Sequence, residues 1–335
     1  MTSSPIPLQI LGTGRYLPRR IVSSDELDAR WGRAPGTALR QVGVRRRHMA
    51  AADETSSFMA ARAAERALVA AGLHADDLDG IVSACAVMEQ AIPCLGAQVQ
   101  RAMQLGTSGI PAFDVNATCL SFIVALDLVA GLLAMGRYQR VLIVSSEIAS
   151  VGLNPDDFGT AALFGDGAAA AIVGLSVDGS GSALLASHLV TYSEGAEYCQ
   201  VRGGGTRQPT CSDQAESQRS SFFEMDGRAT YRLAARHFPS FLDTLLDRAN
   251  LHLEDIRCLI PHQASGKALE HLRHALGMSD ERLVRTLPEV GNQVAASIPN
   301  ALHQAIIDGR MQRGDIVALL GTGAGLSIGG IVLRY

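Results

Sequence analysis

The sequence predicts an α/β protein built from two similar halves. Aliphatic strand-like runs alternate with longer helical segments, a pattern that argues for mixed or mostly parallel sheets covered by helices. Three short motifs also recur in the same order. Residues 72–82 match 250–260 at an offset of 178. Residues 116–119, leading into Ala125-Leu126, match 292–295, leading into Ala301-Leu302, at an offset of 176. Residues 136–140 match 309–313 at an offset of 173. Three matches in register indicate a duplicated unit of about 170 residues. The halves fall at residues 1–175 and 183–335, joined by the Gly/Ser-rich run 176–182.

Each element of the first half has its counterpart in the second. Residues 58–71 carry an apolar helical face that ends in a polar turn, and residues 81–84 form a short aliphatic strand. A loop holding Cys119 leads into residues 120–135, which are apolar nearly all round and so read as a buried helix. Residues 141–145 are the next strand, and Phe164-Gly165-Asp166-Gly167 is a glycine-rich hairpin signal before another apolar run. The second half repeats the series. It has a helix over 231–249, a strand over 258–260, a loop holding Asn292 before a helix, a strand over 316–320, and the glycine loop 321–325 before a closing strand. Residues 193–221 break the pattern, being polar, rich in Gly, Ser and Gln, and without period. A loop that long reads as a flap over an entrance or as a surface insertion.

Composition narrows the function. A chain of 335 residues with 47% hydrophobic and 19% charged residues is too apolar for a disordered one. A net charge of −4 gives no footprint for nucleic acid. The six cysteines are irregularly spaced with no C-x-x-C pair, so neither a zinc knuckle nor any other metal site is expected. The first ten residues lack the charged and apolar regions of a signal peptide. The longest apolar stretch, 120–135, is 16 residues with Asp127 in its middle, too short and too polar for a membrane span. The expectation is a cytoplasmic protein.

Three residues could make a reaction centre. Cys119 stands where the buried helix begins, and the positive end of a helix dipole would lower its pKa and favour the nucleophilic thiolate. The commoner fate of a buried cysteine is inert packing, which suits Cys85 and Cys258. His262 follows an aliphatic strand and a proline, where a chain leaves a sheet for a loop and catalytic groups often sit. An ordinary polar strand end is the alternative. Asn292 follows a glycine before small residues, and capping a helix would also explain it. The repeat puts Asn292 in the loop equivalent to the one holding Cys119, so both approach the same pseudo-twofold axis. These groups suit acyl transfer through a thioester on Cys119, with the oxyanion held by backbone N–H groups of Cys119 and of the Gly323, Ala324 and Gly325 loop. No carboxylate partner for His262 is apparent, which favours a donor role beside the Asn292 amide over that of a protease-like base.

At these residues the sequence resembles the β-ketoacyl-[acyl-carrier-protein] synthase III family of the thiolase superfamily, over essentially the whole chain. The resemblance runs through residues 12–18, Val42-Gly43-Val44-Arg45-Arg46-Arg47, 113–119, 163–168, Met225-Asp226-Gly227, Pro261-His262-Gln263-Ala264, Gly291-Asn292 and the closing glycine loop. It implies a homodimer of thiolase-like duplicated βαβαβαββ halves in a five-layered αβαβα fold. It implies that Cys119 takes an acyl group, and that His262 and Asn292 promote decarboxylation of a malonyl-type extender and stabilise its enolate. No permanently bound cofactor is implied. The substrates would be thioesters of coenzyme A or of the phosphopantetheine of an acyl carrier protein, in polyketide or fatty-acid-type biosynthesis. Lys267, the only lysine, stands where the family has a carrier- or pantetheine-binding arginine; a solvated surface lysine is the alternative. Thr37, Gln41 and Phe158 replace residues that hold the adenine nucleotide in the fatty-acid starter enzymes, which points to a specialised synthase. Ile92 stands in place of a bulky acyl-pocket aromatic. A non-condensing acyltransferase, passing the acyl group to an oxygen or nitrogen acceptor, is the alternative activity.

Overall fold

The computed structural model describes residues 4–176, 180–209 and 218–335. The strands are β1 (Ile6–Pro7), β2 (Gln9–Tyr16), β3 (Arg20–Ser23), β4 (Arg46–Met49), β5 (Gly80–Ser83), β6 (Ala112–Asp114), β7 (Arg140–Glu147), β8 (Gly167–Gly174), β9 (Ala183–Thr191), β10 (Cys199–Gln200), β11 (Glu224–Met225), β12 (Cys258–Pro261), β13 (Ile316–Gly323) and β14 (Ser327–Arg334). The helices are α1 (Ser24–Arg30), α2 (Thr37–Val42), α3 (Ser56–Ala71), α4 (Leu95–Ala102), α5 (Ser121–Ala134), α6 (Phe158–Leu163), α7 (Gly227–Ala249), α8 (Gly266–Ala275), α9 (Leu287–Val290) and α10 (Ser297–Ile307).

Two five-stranded sheets carry the fold, in the orders β2-β8-β7-β5-β6 and β1-β9-β14-β13-β12. Both are mixed. In the first, β5 pairs in parallel with β6 and β7, and β8 runs antiparallel between β7 and β2. In the second, β12 and β13 are parallel while β13–β14 and β14–β9 are antiparallel. α5 packs against β7 of one sheet and β14 of the other, and α10 against β2 and β8 of one and β12 of the other. Those two helices therefore lie between the sheets; α5 is apolar nearly all round, and α10 sets Asn300, His303 and Gln304 against Thr13, Arg15 and Gln293. α3 and α7 cover the outer faces. The result is the expected five-layered αβαβα arrangement, with a core drawn from both halves that includes Phe122, Leu126, Ile143, Ile260, Leu302 and Leu319.

Local chemistry sets the elements. α3 starts where the Thr55 hydroxyl accepts from Phe58 N–H and stops at Gly72 in the left-handed conformation. It lies almost on β2, since a Cβ at Gly14 would sit 2.3 Å from the Ala63 carbonyl. This close approach explains the Gly-Thr-Gly motif. The repeated segments fold alike down to single bonds. His74 N–H donates to Asp77 Oδ2 and His252 N–H to Asp255 Oδ2, each at 2.8 Å. The Arg47 side chain is wholly buried and donates to the Val22 and Ala162 carbonyls and to Ser24 Oγ. It thus ties the β3–β4 hairpin to α6.

The structure differs from the sequence expectation in four places. β1 pairs with β9, Ile6 opposite Leu184, so residues 6–7 belong to the sheet of the other half and not with the rest of 1–175. α7 begins four residues before the expected 231, because the Asp226 carboxylate caps Arg228 and Ala229 N–H. The Phe164-Gly165-Asp166-Gly167 signal is not a tight hairpin: residues 148–166, including α6, intervene between β7 and β8. The 193–221 loop is pinned by the short β10–β11 pairing; its residues 210–217, like 177–179 of the inter-half run, lie outside the described residues.

Candidate active site

Cys119 follows Thr118, whose φ of 53° marks a sharp turn, and stands one residue before the Leu120 N-cap of α5. Two bonds shape that turn: Leu120 N–H donates to the Ala117 carbonyl and Ser121 N–H to the Thr118 carbonyl, both at 3.1 Å. The backbone N–H groups of Cys119 and Ala324 both face the sulfur. Gly323 lets the two segments meet, because a Cβ there would lie 2.6 Å from Thr118 Oγ1. Gly325 continues the loop at φ 137°, and nothing places its N–H at the sulfur.

The thiol differs from expectation. Burial, then the negative charge of Glu147, pushes Cys119 up to about 12, outweighing the two backbone donors. The residue is partly exposed, but its sulfur faces inward, where desolvation dominates. A helix dipole acts over the first turn only, and Cys119 lies just outside it. Cys119 therefore rests as a thiol.

His262 follows the last residue of β12 and is buried. Its N–H donates to the Leu320 carbonyl at 2.8 Å, which locks it to β13. Gly321 is the space it occupies, since a Cβ there would stand 2.6 Å from His262 Cβ and 3.4 Å from Leu120 Cδ2. Burial alone lowers the imidazole to about 4, and its Nδ1 has no partner among the described residues. At neutral pH the ring is uncharged, and no carboxylate among the described residues shifts it.

Asn292 is buried, and its backbone bridges to the 163–165 segment. Its Nδ2 donates to the Ala264 carbonyl at 3.3 Å and its Oδ1 accepts from Val294 N–H at 2.9 Å. Ala264 N–H in turn donates to the His262 carbonyl at 3.0 Å. Through Gly321, Gly323 and Ala264, the segments that carry Cys119, His262 and Asn292 lie next to one another.

The remaining candidates lie elsewhere. Lys267 is exposed in the first turn of α8 and lines a surface cavity of about 280 Å³ together with Arg40, Glu270 and Arg285. Ile92 does not form an acyl wall within its own chain: it is 84% exposed, on a loop with Val87 and Met88. Phe158 is buried under Trp31, with ring centroids 5.3 Å apart, and the Arg33 guanidinium lies 4.1 Å from its ring. An aromatic cluster thus buries Phe158, the residue read from the sequence as replacing a nucleotide-holding one. Glu147, at the buried end of β7, was not anticipated. Its signal in the sequence is three polar residues, Ser145-Ser146-Glu147, closing an otherwise aliphatic strand.

Comparison with known proteins bears on the site as a whole. The family model for 3-oxoacyl-[acyl-carrier-protein] synthase III matches residues 113–193, which include Cys119, and its C-terminal model matches 246–335, which include His262 and Asn292. The chain is 36% identical to acetoacetyl CoA synthase NphT7 of Streptomyces sp. strain CL190 over 322 residues, 96% of this chain and 97% of that one. It is 32% identical to a β-ketoacyl-[acyl-carrier-protein] synthase III of Acidiphilium cryptum, covering 97% and 98% of the two chains. Its fold matches the crystal structure of 3-oxoacyl-(acyl carrier protein) synthase III from Pseudomonas aeruginosa PAO1 with a TM-score of 0.87 at 33% identity, over 98% of each chain. A variant of OleA from Xanthomonas campestris shares the fold at 19% identity, TM-score 0.86. With relatives of this identity spanning nearly its whole length, and the thiol, imidazole and carboxamide segments all within the matched regions, the chain belongs to the 3-oxoacyl-[acyl-carrier-protein] synthase III family of the thiolase superfamily.

Proposed function

We propose that the chain is a ketosynthase in which Cys119, His262 and Asn292 carry out a decarboxylative Claisen condensation. The observation that supports this assignment of roles is the adjacency of the segments bearing a thiol, a neutral imidazole and a carboxamide. In the first step the Cys119 sulfur attacks an acyl thioester. A new S–acyl bond forms, the carrier thiol leaves, and the thiol proton goes with it. The N–H groups of Cys119 and Ala324 hold the tetrahedral oxyanion. In the second step a malonyl-type thioester loses carbon dioxide. The electron pair left behind forms an enolate, whose oxygen takes hydrogen bonds from His262 and from the Asn292 amide hydrogen not used by Ala264. The enolate carbon attacks acyl-Cys119, the C–C bond forms, and the cysteine sulfur leaves and is reprotonated. A neutral His262 suits this role, because a donor is needed and a proton acceptor is not.

No resident cofactor takes part; the substrates are thioesters. We place their delivery, from coenzyme A or an acyl carrier protein, at the cavity lined by Arg40, Lys267 and Arg285, whose positive charge suits a phosphate or an acidic carrier. The exposed apolar loop bearing Val87, Met88 and Ile92 supports a homodimer joined at that face. The matching strand orders support a division at 1–175 and 183–335, with β1 crossing over. A cytoplasmic setting fits the free cysteines among the described residues.

The test is incubation of the purified chain with acyl thioesters and labelled malonyl thioesters. Expected are an acyl adduct on Cys119, release of labelled carbon dioxide, and malonyl carbon in the product. Cys119→Ala should abolish the adduct, and Asn292→Ala should spare it while lowering carbon dioxide release about a hundredfold or more. An adduct without malonyl incorporation would favour the acyltransferase alternative. Lys267→Glu should raise KM for the carrier-borne substrate with kcat little changed.

A further inference from the structure

Glu147 takes no part in the chemistry proposed above, yet it joins the two ends of the site. Its side chain is wholly buried at the end of β7. Its carboxylate accepts Ala86 N–H at 2.5 Å and Val87 N–H at 3.3 Å, and Ala295 N–H is also directed to it. No ion pair offsets its charge among the described residues. A buried carboxylate is costly, and a fold that kept one only to fill space would do better with an apolar side chain of the same size.

Each group it holds supports one catalytic side chain. The turn at 85–87 supports the nucleophile: the Ala86 carbonyl accepts from Asn116 Nδ2 at 3.0 Å and the Cys85 carbonyl from Ser121 Oγ at 3.3 Å. Asn116 and Ser121 flank Cys119 on either side. Ala295 belongs to the 3-10 turn 294–296, whose Val294 N–H fixes the Asn292 carboxamide. One carboxylate therefore meets a turn from the first half, bonded to residues that flank Cys119, and a turn from the second, bonded to Asn292 itself.

We propose that Glu147 is a positioning residue that sets the Cys119 sulfur against the Asn292 carboxamide by anchoring both of their supporting turns. The proposal rests on the ketosynthase reading. The same group acts on the thiol electrostatically. The ionisable groups facing it are Cys119, Cys85 and Asp166; its charge raises both thiols, and Asp166 raises Glu147 in turn. Burial brings Glu147 itself to about 8 against its three N–H donors. Ionised, it opposes formation of the Cys119 thiolate.

The experiment compares the full-length unaltered protein with Glu147→Gln and Glu147→Asp. Three quantities are read: steady-state condensation, carbon dioxide release from a malonyl thioester, and the pH dependence of Cys119 alkylation by iodoacetamide. In Glu147→Gln one of the two acceptor oxygens becomes an NH2 facing a backbone N–H, so kcat for condensation should fall about tenfold to a hundredfold with KM changed little. The alkylation profile of this variant should move to lower pH, since the opposing charge is gone. Glu147→Asp keeps the charge and shortens the reach. It should lose kcat by at least about tenfold and keep the alkylation profile of the unaltered protein. Loss of kcat with a native circular dichroism spectrum and that split between the two profiles supports the proposal. A kcat within about twofold in both variants overturns it, as does an alkylation profile that Gln leaves unmoved. If Glu147→Gln does not fold, Glu147→Asp decides alone by the same kcat criterion. If the unaltered protein forms no adduct and releases no carbon dioxide, the ketosynthase reading fails. The alkylation profiles then judge the coupling of Glu147 to Cys119 separately.

Discussion

At Cys119 two effects of opposite sign meet. The motif and the helix start were readable in the sequence. Its ionisation was not readable, because desolvation depends on what the rest of the chain packs around the sulfur. His262 shows the same principle with a testable consequence. Folded, its imidazole stays neutral down to about 4; unfolded, it takes up a proton near 6.5. Between those values the unfolded chain binds the extra proton, so stability falls as pH drops through that window and levels below it. This one residue should cost about 2 kcal/mol between pH 7 and pH 5. Urea unfolding of the unaltered protein and of His262→Gln at the two pH values checks this. The drop should be smaller in the variant, and an equal drop would show that His262 is not the group responsible. His303, also brought to about 4 by burial, then Arg15 and Arg66, contributes a background in both. Asn292 was legible from its glycine and from the repeat. Glu147 was missed because its partners are backbone groups of residues 86, 87 and 295, and sequence reasoning pairs side chains more readily than it finds backbone donors far along the chain.

Among the elements, α3 and α5 were legible to within a few residues, because an amphipathic stripe and an all-round apolar run specify different depths. The two-residue strands β10 and β11 were not, since no periodicity exists at that length. α5 is shared between the sheets, so its packing supports both. Leu126→Ala removes a wholly buried side chain from that layer and should cost about 2–5 kcal/mol. Val69→Ala, at a position of α3 that is 81% exposed, should change stability by less than about 0.5 kcal/mol. Chemical denaturation of both variants measures the contrast. Equal effects would mean that α5 does not carry the shared core.

For the whole molecule, the duplication was legible from three offsets, and it correctly implied two sheets of like topology. Which segment closes each sheet was not legible: β6 lies beyond β5 in the first, whereas β1 lies beyond β9 in the second. The repeat describes what the halves share, and the strand at each edge is where they differ. The exposed loop at 87–92 belongs to this scale as well. Met88→Asp combined with Ile92→Asp should convert the proposed dimer to monomers in sedimentation velocity runs, whereas an unchanged sedimentation coefficient would count against an interface on this loop. The crossing of β1 has its own consequence for how the chain is made. Ile6 pairs with Leu184, so on the ribosome that strand lacks its hydrogen-bonded partner until the second sheet begins to emerge. The first sheet can form around it meanwhile, but the clasp between the halves closes late. A fusion partner attached just ahead of residue 6 would therefore disturb the far half of the molecule before the near one.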